Sequence, residues 1–214
     1  MQGDSPRHKG LRNKLVELLI SKGIRDTEVL KAISRIPRHF FLDSSFESYA
    51  YQDKPFPIAA DQTISQPYTV AFQSQLLAVK AGHKVLEVGT GSGYQAAVLA
   101  EMGAKVFSIE RQKELHDFAR NILRKLGYPV HLSYGDGYQG LSTHAPYHRI
   151  IVTAGAPHVP QALPEQLSPG GKLVIPVGVQ SQKMILIEKT EAGELLQKEF
   201  GDFRFVPLLQ NRNV

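Results

Sequence analysis

The order of elements along this chain predicts an α/β fold: a doubly wound, mostly parallel sheet with an N-terminal helical segment. Three observations lead to it. After Gly82, short apolar strands alternate with helices, the pattern of a sheet whose strands are joined by crossover helices. The strands at 84–88 and 148–153 are short, apolar and rich in β-branched residues (Val85, Val88 and Ile150-Ile-Val-Thr153), as in strands buried on both faces. The first of them ends in three closely spaced glycines followed at once by a helix, the kind of turn at which open parallel sheets bind ligands. With 214 residues, 42% of them hydrophobic, the chain can bury about 70% of the surface its unfolded form exposes. One domain is expected, in which residues 1–80 form helices and a long loop and residues 81–214 form the ligand-binding α/β core.

The elements follow in order. Residues 1–10 are polar and contain Gly3, Pro6 and Gly10, which predicts a disordered tail. Leu11, Leu15, Leu18 and Leu19 recur at helical spacing and stop at Gly23, a C-terminal cap. Asp26 caps a second short helix carrying Val29, Leu30 and Ile33, which must end before Pro37. From His39 to Gln66 no period is sustained, and a loop of that length in a compact domain points to function. Pro67 suits the first position of a helix that continues through Val70, Ala71, Gln75 and Leu77. Then come a strand at 84–88, a helix at 94–102, a strand at 105–109, a helix at 113–126 closed by Gly127, a weaker strand at 130–134 and a clear one at 148–153. A short helix at 160–167, a turn at 168–171 (Ser-Pro-Gly-Gly) and strands at 172–177, 184–189 and 199–208 complete the chain.

The most informative stretch is Lys84-Val-Leu-Glu-Val-Gly-Thr-Gly-Ser-Gly-Tyr94. Glycines there permit a tight turn and close approach of backbone to a ligand, and the following helix offers free N–H groups. A dinucleotide fingerprint would need Gly or Ala where Tyr94 stands, and no Lys-Ser/Thr pair follows to make a Walker loop. Glycines in the order G-x-G-x-G behind an acidic Glu87 resemble motif I of S-adenosylmethionine (SAM) methyltransferases. That resemblance implies that Glu87, Gly89, Thr90, Gly91, Ser92 and Gly93 line the methionine end of the cofactor. Glu110 follows the next strand, 21 residues beyond Gly89, placed to accept hydrogen bonds from both ribose hydroxyls. Asp136 and Gly137 follow the third strand and fit an adenine amino group. Acids at the carboxyl ends of successive strands stand where open α/β sheets bind their ligands.

On the acceptor side, the strand at 148–153 leads into Thr153-Ala-Gly-Ala-Pro157, without the amide or carboxylate that an [Asn/Asp]-Pro-Pro-aromatic motif would offer to an acceptor nitrogen. Ser65 precedes Pro67 by two residues, so taken alone it reads as a helix N-cap. The full set Gln62-Thr-Ile-Ser-Gln-Pro-Tyr68, 85–95, Gly135-Asp-Gly137, Ile150-Ile-Val-Thr-Ala154, Pro176-Val-Gly178 and Arg204-Phe-Val-Pro-Leu208 resembles the protein-L-isoaspartate (D-aspartate) O-methyltransferase family. The likeness runs from about Leu11 to Leu208 in that family's order. It implies a fold of the SAM-dependent methyltransferase type and methylation of the free carboxylate of L-isoaspartyl residues in damaged proteins, with D-aspartyl residues as a second candidate acceptor. By the same resemblance Ser65 is the active-site serine, Thr63 and Ile64 flank it in the substrate loop, and Val206 helps grip the substrate backbone. Residues 56–68, long, flanked by prolines and carrying Ser65, read as the substrate lid. Where the family carries Gly-x-Gly before Gln62, this chain has Ala59-Ala60-Asp61, which stiffens the loop and adds a negative charge. The tail from Gln210 to Val214 lacks the family's glycine and acidic residue.

Composition narrows the alternatives. Zero Cys excludes a disulfide framework and a thiol nucleophile. Among the eight His, His144 and His148 are separated by Pro146 and cannot share a helical face. With no H-E-x-x-H motif, no metal is expected and most of the His residues are assigned to the surface or strand edges. The net charge of +5 lies wholly in residues 1–38, nine Lys/Arg against four Asp/Glu, while the rest holds sixteen of each. It reads as a solvated helical face, so nucleic acid is not expected as a partner. No run reaches the roughly 20 apolar residues of a membrane span, and a cytoplasmic monomer is expected. Two rivals share the cofactor loop: a SAM enzyme acting on nucleic acid or a small molecule, and a SAM-binding module without turnover.

Overall fold

A computed structural model describes residues 3–213. Helices α1 (Pro6–Ser21) and α2 (Thr27–Arg35) are followed by 3-10 turns at Arg38–Phe41 and Ser44–Tyr49. A small hairpin, β1 (Phe56–Pro57) with β2 (Thr63–Ile64), leads into α3 (Pro67–Leu77). The α/β part runs β3 (Lys84–Val88), α4 (Tyr94–Glu101), β4 (Lys105–Glu110), α5 (Lys113–Leu126), β5 (Val130–Tyr134), β6 (Tyr147–Val152), α6 (Ala162–Glu165), β7 (Leu167–Val177), β8 (Gln182–Lys189) and β9 (Leu195–Phe203).

Seven strands form one sheet in the order β5-β4-β3-β6-β7-β8-β9. The first five are parallel; at one edge β8 runs antiparallel to β7, and β9 antiparallel to β8. Strand order reverses at β3, which pairs with β4 on one side and β6 on the other. At such a switch point the connections leave in opposite directions and open a crevice beyond the carboxyl ends of the strands. Alternate residues divide the core. Val85, Val106, Ile151 and Val174 pack with the apolar faces of α1 to α5. Leu86, Phe107, Ile150 and Leu173 face the other layer, which contains Leu163 of α6 and Leu208. That second layer is thin, built from α6 and 3-10 turns at Gly137–Gln139 and Ser142–His144.

Four expectations are corrected. The segment expected to be a disordered tail is helical from Pro6. Ser5 caps α1 by accepting from the His8 N–H at 3.3 Å, and the His8 imidazole accepts in return from the Ser5 N–H. Residues 1 and 2 lie outside the described residues. Ser168–Gly171 is a bulge inside β7, not a turn before it: Leu167 faces Tyr147, and the pairing resumes with Lys172 against Arg149. The last strand begins at Leu195 and ends at Phe203 because a tight turn at Thr190–Glu194 starts it early. Residues 204–208 leave the sheet edge and cross to the switch point, where the Gly155 N–H donates to the Val206 carbonyl and the Leu208 N–H to the Gly155 carbonyl. Finally, Ser65 is not a helix cap. The N-cap of α3 is Gln66, and Asp53 accepts from the Tyr68 N–H at 2.8 Å in the role a cap would play.

Candidate active site

The glycine loop turns at the carboxyl end of β3. Gly89, Gly91 and Gly93 all have positive φ (96°, 53° and 88°), a region that costs other residues about 1–2 kcal/mol. Contacts add a second reason at two of them. A Cβ on Gly89 would lie 2.7 Å from the Thr153 hydroxyl, and one on Gly93 would lie 3.2 Å from Leu123 of α5. Gly89 therefore lets β3 and β6 converge beneath the loop, and Gly93 lets α4 and α5 pack closely. Thr153 supports the turn by donating from its hydroxyl to the Val88 carbonyl at 3.1 Å.

The three acids have different environments. Glu110, at the end of β4, accepts from the Gly91 N–H at 2.9 Å through Oε2 and from the Gln112 N–H at 2.8 Å through Oε1. It fixes the loop and lines the cleft above it. Glu87 does not reach the cleft surface. Its register opposite Ser108 points it into the core, fully buried, where Oε2 hydrogen-bonds the Ser108 hydroxyl and Oε1 has no partner. Burial pushes its carboxyl up to about 8, and the neighbouring Glu110 charge adds to the shift. Thr90 extends this network to the loop by a 2.6 Å hydrogen bond to Ser108. Asp136 is also engaged, accepting from the Tyr138 N–H and the Asn211 N–H, both at 2.9 Å. Of that pair Gly137 lines the cleft.

Gly89, Thr90, Gly91, Ser92, Glu110 and Gly137 thus meet around one cleft with Thr63, Ile64, Ser65 and Val206. A second cleft adjoins it, lined by Tyr68, Phe72, Phe200, Phe203 and Phe205, and the two share Thr63, Ser65, Thr153 and Val206. Ser65 makes no side-chain hydrogen bond among the described residues, so its hydroxyl is available at this junction. The hairpin folds over the glycine loop, with the Ile58 methyl 3.7 Å from where a Cβ on Gly91 would sit.

Sequence reasoning missed Thr153, Gln112, Leu115 and Leu209, which also line the cofactor side. Thr153 had a signal, since it follows the strand that flanks the switch point. The others had none, because helix α5 and the tail reach the cleft only through tertiary packing. Most of the His residues lie at the surface or at strand edges as expected, while His8, His39 and His116 are buried. Asp4, His8 and His39 bring three possible metal-ligating atoms within 4.8 Å of one another. However, both Asp4 oxygens accept from Arg12 (3.0 and 2.8 Å), and the two imidazoles stack at 3.9 Å. Stacked rings do not converge their lone pairs on a common ion, so the group is a packed polar network.

The chemistry of the cofactor cleft fits SAM. Its charged lining residues are Glu110 and Arg111, and Arg111 is turned to the tail, donating to the Asn211 carbonyl at 2.8 Å. Glu110 remains as an acceptor for hydroxyl groups, and no cluster of cations waits for a pyrophosphate.

The model of the protein-L-isoaspartate(D-aspartate) O-methyltransferase family matches residues 10–213. A protein-L-isoaspartate O-methyltransferase of Christiangramia forsetii is 63% identical over 98% of this chain and 99% of that protein. One of Methanopyrus kandleri is 50% identical over 98% of this chain and 96% of that protein. Among solved structures, a protein-L-isoaspartate O-methyltransferase superposes with a TM-score of 0.83 at 31% identity, covering 92% of this chain and 65% of that longer one. A Plasmodium falciparum protein assigned the same activity and crystallised with S-adenosyl-L-homocysteine gives 0.81 at 25% identity, over 94% of this chain and 99% of that one. The chain belongs to the protein-L-isoaspartate(D-aspartate) O-methyltransferase family.

Proposed function

We propose that this protein transfers a methyl group from SAM to the free carboxylate of L-isoaspartyl residues in damaged proteins, the first step of their repair. The observation that carries the mechanism is the junction of the two clefts at Thr63, Ser65, Thr153 and Val206. When bound, SAM supplies a methyl group on a positively charged sulfur, activated toward any well-aligned lone pair. Glu110 would hold the ribose, the Gly89–Gly93 loop the methionine end and Gly137 the adenine. Glu87 would act from below, through Ser108 and Thr90, to fix the loop, and Asp136 would hold the turn that presents Gly137.

The acceptor carboxylate ionises near pH 3.5–4, so at neutral pH it is already a nucleophile. No general base is needed, and among the described residues no His lines either cleft. The protein's task is to place one oxygen in line and keep water out. Ser65 would donate a hydrogen bond to the carboxylate, while Thr63, Ile64 and Val206 hold the peptide and the hairpin covers it. The ester carbonyl is then open to the next backbone nitrogen, which expels methanol and closes a succinimide without further help. The partners are damaged proteins or peptides. The neutral balance of residues 39–214 supports the absence of nucleic acid as a partner, and no helix among the described residues is long and apolar enough to cross a membrane. A cytoplasmic monomer is the simplest setting for this chemistry.

The test uses radiolabelled SAM with an isoaspartyl peptide, its aspartyl twin and transfer RNA. Label should enter the isoaspartyl peptide alone. Label in RNA would overturn the substrate assignment, and SAM binding without transfer to any of the three would mark a module without turnover.

A further inference from the structure

The Ser65–Tyr68 segment is gripped from behind by two side chains of the N-terminal segment, Arg38 at Ser65 and Asp53 at Gln66 and Tyr68. Arg38 opens the first 3-10 turn and is fully buried. Its Nε donates to the Ala50 carbonyl at 3.0 Å and its Nη2 to the Ser65 carbonyl at 2.9 Å. The guanidinium lies 4.6 Å from the ring centroid of Tyr94, which seats its plane. Asp53, with a side chain 5% exposed, accepts from the Tyr68 N–H at 2.8 Å through Oδ1. Its Oδ2 accepts from the Gln66 amide at 3.0 Å and from the Lys22 ammonium at 2.6 Å. The peptide group of Ser65 is therefore held on its carbonyl side by Arg38, and the next residues are held by Asp53.

Stability alone does not explain this arrangement. A buried guanidinium loses its hydration, and Arg38 recovers it incompletely, since Nη1 has no partner. Burial lowers its pKa to about 10, which leaves it charged at neutral pH. Well-packed apolar residues commonly replace such buried charges without loss of stability. What an apolar residue could not do is hold the Ser65 carbonyl. The hairpin that precedes Ser65 has only two residues in each strand, and isolated two-stranded hairpins are marginal on their own. Its serine needs an external anchor.

We propose that Arg38 and Asp53 are positioning residues that clamp the Ser65–Tyr68 backbone so that the Ser65 hydroxyl faces the acceptor carboxylate. The proposal rests on the reading of Ser65 as the group that orients substrate. A displacement of about 1 Å in such a group can cost roughly 100-fold in rate.

The experiment is a pair of double-mutant cycles. Arg38→Lys keeps the charge and loses the planar fork, and Asp53→Asn keeps one acceptor oxygen and loses the charge. Each is measured alone and combined with Ser65→Ala. Three readouts are taken: kcat/KM on an isoaspartyl peptide, calorimetric affinity for that peptide with S-adenosylhomocysteine present, and calorimetric affinity for S-adenosylhomocysteine alone. Each single variant should lose about 10- to 100-fold in kcat/KM and bind the peptide more weakly, with S-adenosylhomocysteine affinity unchanged. On the Ser65→Ala background the same changes should cost less than about threefold, because coupled residues are not additive. Equal losses on both backgrounds would overturn the clamp while leaving Ser65 in place. A fall in S-adenosylhomocysteine affinity matching the loss of peptide affinity would overturn it in favour of a prop for the cofactor loop. If Ser65→Ala alone retained full kcat/KM, the reading of Ser65 itself would fall, and the clamp with it. Should Arg38→Lys fail to fold, the Asp53→Asn cycle decides.

Discussion

An ordinary Glu carboxyl ionises near pH 4.5, but Glu87, fully buried with only Ser108 to bond and Glu110 nearby, is pushed up to about 8. The folded protein then keeps a proton at neutral pH that the unfolded chain has released. Glu87 thus favours folding fully below pH 4.5, and this contribution is lost as pH rises toward 8. His39 acts in the opposite sense: burial pushes it from 6.5 down to about 4, so its contribution is complete above pH 6.5 and fades as pH falls toward 4. Glu87→Gln mimics the neutral acid and leaves His39 alone. Its melting temperature relative to wild type should rise steadily from pH 5 to 8, and a constant difference would mean that Glu87 is ionised in the folded state. Glu110 is expected to act differently, because its carboxylate holds two backbone N–H groups and faces the cleft. Charge-assisted hydrogen bonds are worth about 1.5–3 kcal/mol each. Glu110→Ala should therefore weaken SAM binding about 10- to 150-fold by calorimetry, and unchanged affinity would remove it from the site. The position of Glu110 could be read from the sequence, since it closes a strand. The burial of Glu87 could not, because it depends on which residue of β4 stands opposite.

The hairpin and the glycine loop carry their function in their backbone. At the tip of the hairpin Ala60 and Asp61 both adopt positive φ (56° and 54°), and the Gln62 N–H closes the turn on the Ala59 carbonyl at 3.2 Å. Ile58 and Gln62 face each other across the three-residue loop 59–61, whose two left-handed residues occupy a region where glycine is the usual occupant. Holding Ala there costs about 1–2 kcal/mol, partly offset by the roughly 0.4–1 kcal/mol by which Gly loosens the unfolded chain. Ala60→Gly should raise the melting temperature by about 1–4 °C, and a lowered one would show that the stiffness of this turn stabilises the fold. Element boundaries were legible where local signals are strong. The spans of β3, α5 and β5 follow from their apolar patterns and from Gly127 in the left-handed region that ends α5. β9 was misplaced for a physical reason: it is an edge strand whose side chains are almost all exposed, so it leaves no alternation to read. Residues 204–208, whose sequence predicts a continuation of that strand, bond through their backbone to Gly155 instead.

At the scale of the molecule, the N-terminal helices and the α/β part share one core. Leu15, Leu19 and Ile33 of α1 and α2 belong to the same buried cluster as Val98 and Leu99 of α4 and Val85 and Ile151 of the sheet. We expect residues 1–80 and 81–214 to melt in a single transition whose calorimetric and van't Hoff enthalpies agree. Two separated transitions would make the helical segment an independent unit. The sequence by itself determined the α/β class, most strands and helices, the glycine loop, and the family to which its motifs belong. These are properties of period, turn chemistry and spacing, which act over a few neighbouring residues. Only the tertiary structure decided which polar residues are buried and what they hold. Arg12 finds its partners at the Ser34 carbonyl and Tyr51, and Arg38 finds the Ser65 carbonyl. Such side chains look like surface residues in a linear reading. They become interior ones because partners tens of residues away replace the hydrogen bonds that water would have made.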